Sequence, residues 1–114
     1  MNNRLPDFLG HIRQAALDAR EFTEETSKDV FLTDTRTQRA VIMSLLIIGE
    51  AATKVMDVHP AFATDHPETA WRAMRGMRNR IAHGYFHIDL DVVWETVQTA
   101  LPDLLANLPS APSD

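Results

Sequence analysis

Apolar residues recur at three- and four-residue steps along most of this chain, and the breaks in that rhythm divide it into four main helices. In the first stretch Leu5, Phe8, Leu9, Ile12, Ala15, Ala16, Ala19 and Phe22 fall on one stripe, the mark of a helix with a single buried face. Pro6 suits its opening turn, where the missing amide has no intrahelical partner to lose. The acidic cluster Glu21, Glu24 and Glu25 ends it, and Ser27 to Leu32 reads as a connecting turn or single-turn helix. A second helix starts at Thr33 or Asp34, either of which can cap it, and runs to about Met56. Its middle, Ala40 to Ile48, is apolar almost all the way round, which predicts the central helix of a bundle.

His59-Pro60 and His66-Pro67 bracket a predicted loop, because a residue before proline is pushed out of helical geometry. A third helix is predicted from about Pro67 to His83, with Gly84 placed to end it in the left-handed conformation. Asp89 and Asp91 suit the N-terminus of a fourth, where negative charge is favoured. Val92, Val93, Val97, Leu101, Leu104 and Leu105 give that helix an apolar side, and Pro102 inside it predicts a kink or a split. No segment reads as a convincing strand. Short connections between amphipathic helices predict an all-α, antiparallel four-helix bundle with room for short extra helices. One domain is expected over residues 1–108, followed by a small, polar, proline-bearing tail over 109–114 that should fray.

Composition narrows the class without naming it. At 114 residues, 45% hydrophobic and 24% charged, the chain is that of an ordinary globular domain. A domain this size buries roughly two-thirds of its unfolded surface, which leaves self-association as a further source of stability. There are no cysteines, so disulfides, thiolate metal sites and a cysteine nucleophile are excluded, and a reducing compartment is suited. Met1 to Arg13 mixes Asn, Arg, Asp and His with its apolar residues, unlike a signal peptide. The apolar run around Ala40 to Gly49 is far short of the ~20 residues a membrane span needs. A soluble, cytoplasmic protein is expected.

Charge sharpens the picture. The net charge of −5 argues at first against an anionic partner. Yet Thr69 to Ile88 holds Arg72, Arg75, Arg78 and Arg80 and no acid, a local +4, which leaves −9 on the rest of the chain. One basic segment on an acidic body is a local footprint for phosphate.

On a helical wheel at about 100° per residue, Ala70, Trp71, Met74, Met77 and Ile81 form the core stripe of the third helix. Arg72, Arg75, Asn79 and His83 form a polar stripe beside it. Arg78 falls inside the apolar arc, where a charge is costly unless paired. Glu50, embedded in Ile47-Ile48-Gly49-Glu50-Ala51-Ala52, is a candidate partner that would orient it. An arginine and a histidine at one helix end suit RNA cleavage, which needs a proton taken from the 2′-hydroxyl, one given to the departing 5′-oxygen, and positive charge on the phosphate. Histidine can move protons near neutrality, and a guanidinium can brace phosphoryl oxygens through two parallel hydrogen bonds. Plainer explanations stand beside this one. A lone histidine at a helix end is more often a cap or surface residue, an arginine run is most often a solvated face, and Glu50 with Lys54 could be an exposed pair.

Arg78, four residues, then His83 resembles the defining motif of HEPN ribonucleases, with Asn79 as the polar residue after the arginine. The longer run Arg78-Asn79-Arg80-Ile81-Ala82-His83-Gly84-Tyr85, followed by Asp89-Leu90-Asp91-Val92-Val93-Trp94, is similar to the HepT branch, as is Ile48-Gly49-Glu50-Ala51. The resemblance covers nearly the whole chain. It implies a HEPN-type bundle and a metal-independent endoribonuclease toxin needing no cofactor, acting as a homodimer whose two motifs face each other across a cleft. Arg78 and His83 would be catalytic, Asn79 and Glu50 supporting, and Arg72, Arg75 and Arg80 in contact with the RNA backbone. It further implies an MntA-like nucleotidyltransferase antitoxin that transfers AMP to the motif tyrosine, here Tyr85. His87 has no obvious family role.

Three other readings remain open. The chain could be a non-catalytic helical module that binds a nucleotidyltransferase partner. It could assist or inhibit such an enzyme without cutting anything. Or His83, His87 and Asp89 or Asp91 could bind a metal, although four-residue histidine spacing requires a continuous helix that Gly84 is placed to break.

Overall fold

The structure, a computed structural model, describes residues 4–112. Every regular element among them is helical. Helix α1 spans Leu5–Thr23, with Pro6 in its first turn and Phe8, Leu9, Ile12, Ala15, Ala16 and Ala19 buried. Phe22 departs from the expected stripe and is 43% exposed. The inward position of that last turn goes to Thr23, whose hydroxyl meets its own helix at the Ala19 carbonyl (3.2 Å) and accepts from Gln98 Nε2 (3.3 Å). A buried hydroxyl with partners is inexpensive.

Ser27 caps the single turn α2 (Lys28–Phe31), and Asp34 caps α3 (Thr35–Val58) by accepting from the Thr37 amide and hydroxyl. Phe31 is fully buried and stacks near Trp94, with ring centroids 5.4 Å apart. As expected, α3 is the central helix, packed on α1 along one side and on the third long helix along another. It is not buried all round, since Met43 and Ile47 are 55% and 41% exposed.

The predicted loop after α3 is instead a short helix, α4 (Pro60–Asp65). His59 does leave helical geometry, as a residue before proline should (φ −127°, ψ 56°). Pro60 then starts a new helix, because its fixed φ suits an opening turn. The third long helix, α5, starts later than expected, at Trp71, and runs to Gly84. Pro67 to Ala70 form the approach to it, tied down by Thr69 Oγ1 donating to the Asn107 carbonyl and Trp71 Nε1 donating to the His66 carbonyl, both 3.0 Å. Ala70, placed on the core stripe by the wheel, lies outside the helix and is exposed.

Gly84 is not left-handed: its φ is −146°, and the chain turns directly into a 3-10 segment, Tyr85–His87. Asp89 caps the next helix, accepting from the amides of Asp91 and Val92. That helix runs as α6 (Leu90–Glu95), a π turn (Thr96–Ala100) and α7 (Leu101–Asn107). Pro102 neither splits nor stops it. A proline ring would meet the carbonyl four residues back in a regular helix, and the wider π turn just upstream accommodates it. Val93, Val97 and Leu101 face the core, while Val92 is rotated out to 52% exposure. Beyond α7, Leu108 is buried and its carbonyl accepts from Arg13, which anchors the start of the tail. Residues 109–112 are non-helical, and Ser113 and Asp114 lie outside the described residues.

Cross-links between elements fix an antiparallel bundle. Arg13 meets Leu108 and Arg20 meets Val97, so α1 and the C-terminal helix run in opposite directions. Arg75 meets Asp57 and Arg78 meets Thr53, which does the same for α3 and α5. Helix α5 leans mainly on α3. Its other flank faces α6, the π turn and α7 across an open seam, where clefts of about 320 and 430 Å³ lie.

Candidate active site

The close crossing of α3 and α5 depends on Gly49. A methyl group there would overlap Arg78 Cβ and lie 2.8 Å from the Met74 carbonyl oxygen. Glycine in a helix interior costs about 1 kcal/mol relative to alanine, and here its lack of a side chain lets the backbone of α5 rest directly on α3. That contact places Arg78 against the polar residues of α3. Its Nε lies 3.2 Å from Glu50 Oε1, and Nη2 donates to Thr53 Oγ1 at 3.2 Å. Nε is buried, and its N–H is poorly aligned for a hydrogen bond to that carboxylate, so the pairing is mainly charge attraction. The Arg78 side chain is 24% exposed and Glu50 53%. The Arg78 side chain is therefore held from the α3 side and only partly buried.

Glu50, Thr53 and Asp57 follow one another at three- and four-residue steps, so they line one face of α3. Asp57 takes Arg75, with Nη2 to Oδ1 at 2.6 Å. Arg75 thus spends one edge on an intrachain pair, while Arg72 and Arg80 are exposed. Sequence reading missed Gly49, Thr53 and Asp57 as parts of this site. The available signal was a polar stripe, with a glycine beside it, on an otherwise apolar helix.

His83 stands elsewhere on α5. It lies five positions after Arg78, which at about 100° and 1.5 Å per residue is roughly 140° around the axis and 7.5 Å along it. Arg78 faces α3, whereas His83 is exposed on the rim of the 430 Å³ cleft toward α6, with Arg80, His87 and Asp89. Between the two faces lies the exposed Asn79. The structure therefore gathers Arg78 with Glu50, and His83 with Arg80, on either side of one exposed strip. Tyr85 lies in the 3-10 segment directly after; its side chain is outside what is described. Its neighbour Phe86 is 82% exposed.

Helix α5 gives way to the 3-10 turn before His87, so the two histidines do not share one continuous helix. Among the described residues no group of three or more His, Asp or Glu is placed to hold a metal ion. No described helix is long and apolar enough to cross a membrane. At the far end of the seam, His66 Nδ1 lies 2.9 Å from Glu68 Oε2, and that hydrogen bond holds the Glu68 carboxyl below the usual carboxylate range.

The sequence profile described as "Ribonuclease HepT-like" matches residues 12–110, which run from the middle of α1 to just past α7 and include the whole Arg78–His83 segment. The chain belongs to the HepT-like ribonuclease family. Its relatives carry names in keeping with that. "Probable ribonuclease HepT" of Thermococcus cleftensis is 42% identical over 98 residues, 86% of each chain. "Putative RNase MJ0127" of Methanocaldococcus jannaschii is 35% identical over 96 residues, 84% of this chain and 77% of the relative. "Putative RNase TTE0752" of Caldanaerobacter subterraneus subsp. tengcongensis is 33% identical over 97 residues, 85% and 84% of the two chains. No solved structure matches the chain significantly. The all-α HEPN-type bundle expected from the sequence is thus the fold of this HepT-like chain, and its enzyme class is that of an RNA-cleaving nuclease.

Proposed function

We propose that this HepT-like protein is a metal-independent endoribonuclease toxin of the cytoplasm, acting as a homodimer, with Arg78 and His83 as its catalytic residues. The observation that carries the reading is the placement of Arg78: a partly buried guanidinium held by Glu50 and Thr53, on the helix that leads through exposed Asn79 to exposed His83. A fixed cation costs no reorganisation as charge builds on a phosphate, which is what makes such a group useful in a transition state.

The chemistry needs a base, an acid and a brace. An imidazole removes the 2′-hydroxyl proton as that oxygen attacks the adjacent phosphorus. The bond to the 5′-oxygen breaks, a protonated imidazole delivers a proton to that oxygen, and a 2′,3′-cyclic phosphate remains. One His83 cannot start in both protonation states, but two copies facing each other supply both. Asn79, on the strip between the two catalytic residues, supports the phosphate with its amide. Arg72 and Arg80 contact the backbone, and Arg75 does so with the edge that Asp57 leaves open.

Two features favour a facing dimer. Arg78 and His83 flank a strip that a second motif can meet. Met43 and Ile47 form an exposed apolar area on α3, and Phe86 is exposed just after α5. A second copy would cover that area.

Neutralisation is assigned to an MntA-like nucleotidyltransferase that transfers AMP to the Tyr85 hydroxyl, releasing pyrophosphate from ATP. Nucleotide phosphate beside Arg78 and His83 would occupy the space and charge that RNA requires. The test is induced expression in a bacterium of the wild type beside His83→Ala, following growth and total RNA, with purified protein assayed in chelator. Arrest and RNA fragments from the wild type alone, persisting in chelator, are the expected result. An unmodified wild type that is folded and as harmless as His83→Ala would favour a non-catalytic module that binds a nucleotidyltransferase. A mass increase of one adenylyl group at Tyr85 on co-expression would locate the modification.

A further inference from the structure

We propose that the 430 Å³ cleft between α5 and α6 is a nucleoside subsite, taking the base of the nucleotide whose ribose lies at His83, with that nucleotide's 3′-phosphate at the cleft mouth. The inference deepens the proposed activity and rests on it for the placement of the ribose. The cleft is at the lower end of the size range of small-molecule sites, about 300–1,000 Å³. Its floor is apolar and fixed, built on Leu45, Ile81 and Val93, which are 1%, 8% and 5% exposed. Its rim is polar, with Arg80 and two imidazoles, His83 and His87. An apolar floor with a rim of guanidinium and imidazole groups matches a planar base joined to a phosphate.

Asp89 adds the capacity to read the base. One of its oxygens, Oδ1, is engaged by the amides of Asp91 and Val92. A carboxylate has two acceptor oxygens, so the second can take a base N–H on the same rim. The negative charge of Asp89 also disfavours phosphate at that side and turns it toward Arg80, which fixes the ligand's direction. RNA cleaved in single-stranded regions can offer such a base, because unpaired bases can be splayed out of the stack.

The test uses binding, so that it does not depend on turnover. The four 2′-deoxynucleoside 3′-monophosphates and inorganic phosphate are titrated into the wild-type protein and into Val92→Trp, which narrows the cleft from its exposed wall. At least one nucleotide should bind about tenfold or more tightly than phosphate, as burial of one base predicts. Val92→Trp should abolish that gain while the phosphate affinity and melting temperature hold. Four nucleotides no better than phosphate, or a gain that survives Val92→Trp, would overturn the subsite. A second variant, Asp89→Asn, should change the ranking of the four bases; an unchanged ranking removes Asp89 from base recognition. Cleavage of RNA is measured separately: base-dependent binding in a protein that cuts nothing would leave the subsite standing and sink the proposed activity.

Discussion

The two seams along α3 are made of opposite materials. On its core side, shared with α1, the helix puts Leu45, Ile48 and Ala52 into one apolar cluster with Ile12, Ala16 and Ala19, all at most 1% exposed. Toward α5, it offers Gly49 and the polar row Glu50, Thr53 and Asp57 to two arginines. An apolar seam of that density is how a small bundle acquires its stability. Ion pairs as exposed as Glu50–Arg78 and Asp57–Arg75 contribute little, about 0–1 kcal/mol. Charges retained in the second seam are therefore best explained by what they position.

The comparison can be broken most forcefully at Ile48, fully buried on the core side of α3. Ile48→Ala should cost about 2–5 kcal/mol of stability through lost burial and the cavity left behind. RNA cleavage per folded molecule should change little. Denaturant unfolding alongside the nuclease assay checks this, and a large activity loss in fully folded protein would deny the division of labour between the seams.

Gly49→Ala should be next. The new methyl meets Arg78 Cβ and the Met74 carbonyl, so α5 must shift, at a cost of about 1–3 kcal/mol partly offset by alanine's better helix propensity. Unlike Ile48→Ala, it should also cut kcat, because the shift moves Arg78 relative to Thr53. Glu50→Gln should show the reverse balance. Losing one half-exposed pair should cost less than about 1 kcal/mol, while kcat falls on the order of tenfold as Arg78 loses the charge that orients it. If Glu50→Gln changes only stability, its supporting role is wrong.

Much of this was legible in the sequence, for reasons tied to particular residues. Apolar periodicity found the long helices, and the caps at Asp34 and Asp89 act as their side chains suggest. The Arg78–Glu50 pairing was legible because a charge inside an apolar arc demands a partner, and α3 had a carboxylate in a similar setting. What periodicity could not supply was rotation at helix ends and the conformation of breaks. Phe22 and Val92 continue their stripes by spacing but lie where the stripe has drifted off the core. Gly84 can adopt a left-handed turn, yet the chain takes another route through a 3-10 segment. Pro102 is compatible with a helix once a π turn precedes it. The separation of Arg78 and His83 onto two faces was implicit in the wheel. Only the position of α6 reveals that a cleft opens on the second face.

The smallest expected effect sharpens the comparison from outside the active seam, at the start of α3. The Asp34 carboxyl is held below its ordinary range, first by the Thr37 hydroxyl, at 2.6 Å, and then by the Thr37 amide. A carboxyl with a depressed folded pKa contributes its full stability above the unfolded carboxylate value, near 3.9, and loses it as pH falls through the lower folded value. Thermal melts of the wild type should therefore decline more steeply with acid in that window than those of Asp34→Asn. Asparagine can still cap the helix but carries no titrating charge. Asp34→Ala should lose the cap at every pH and show the same flattened acid dependence as Asp34→Asn. Activity per folded molecule should be unchanged in both, since the cap is remote from the Arg78 crossing and supports only the helix that carries it. Equal acid profiles for wild type and Asp34→Asn would move the acid sensitivity of α3 to other carboxylates on the chain.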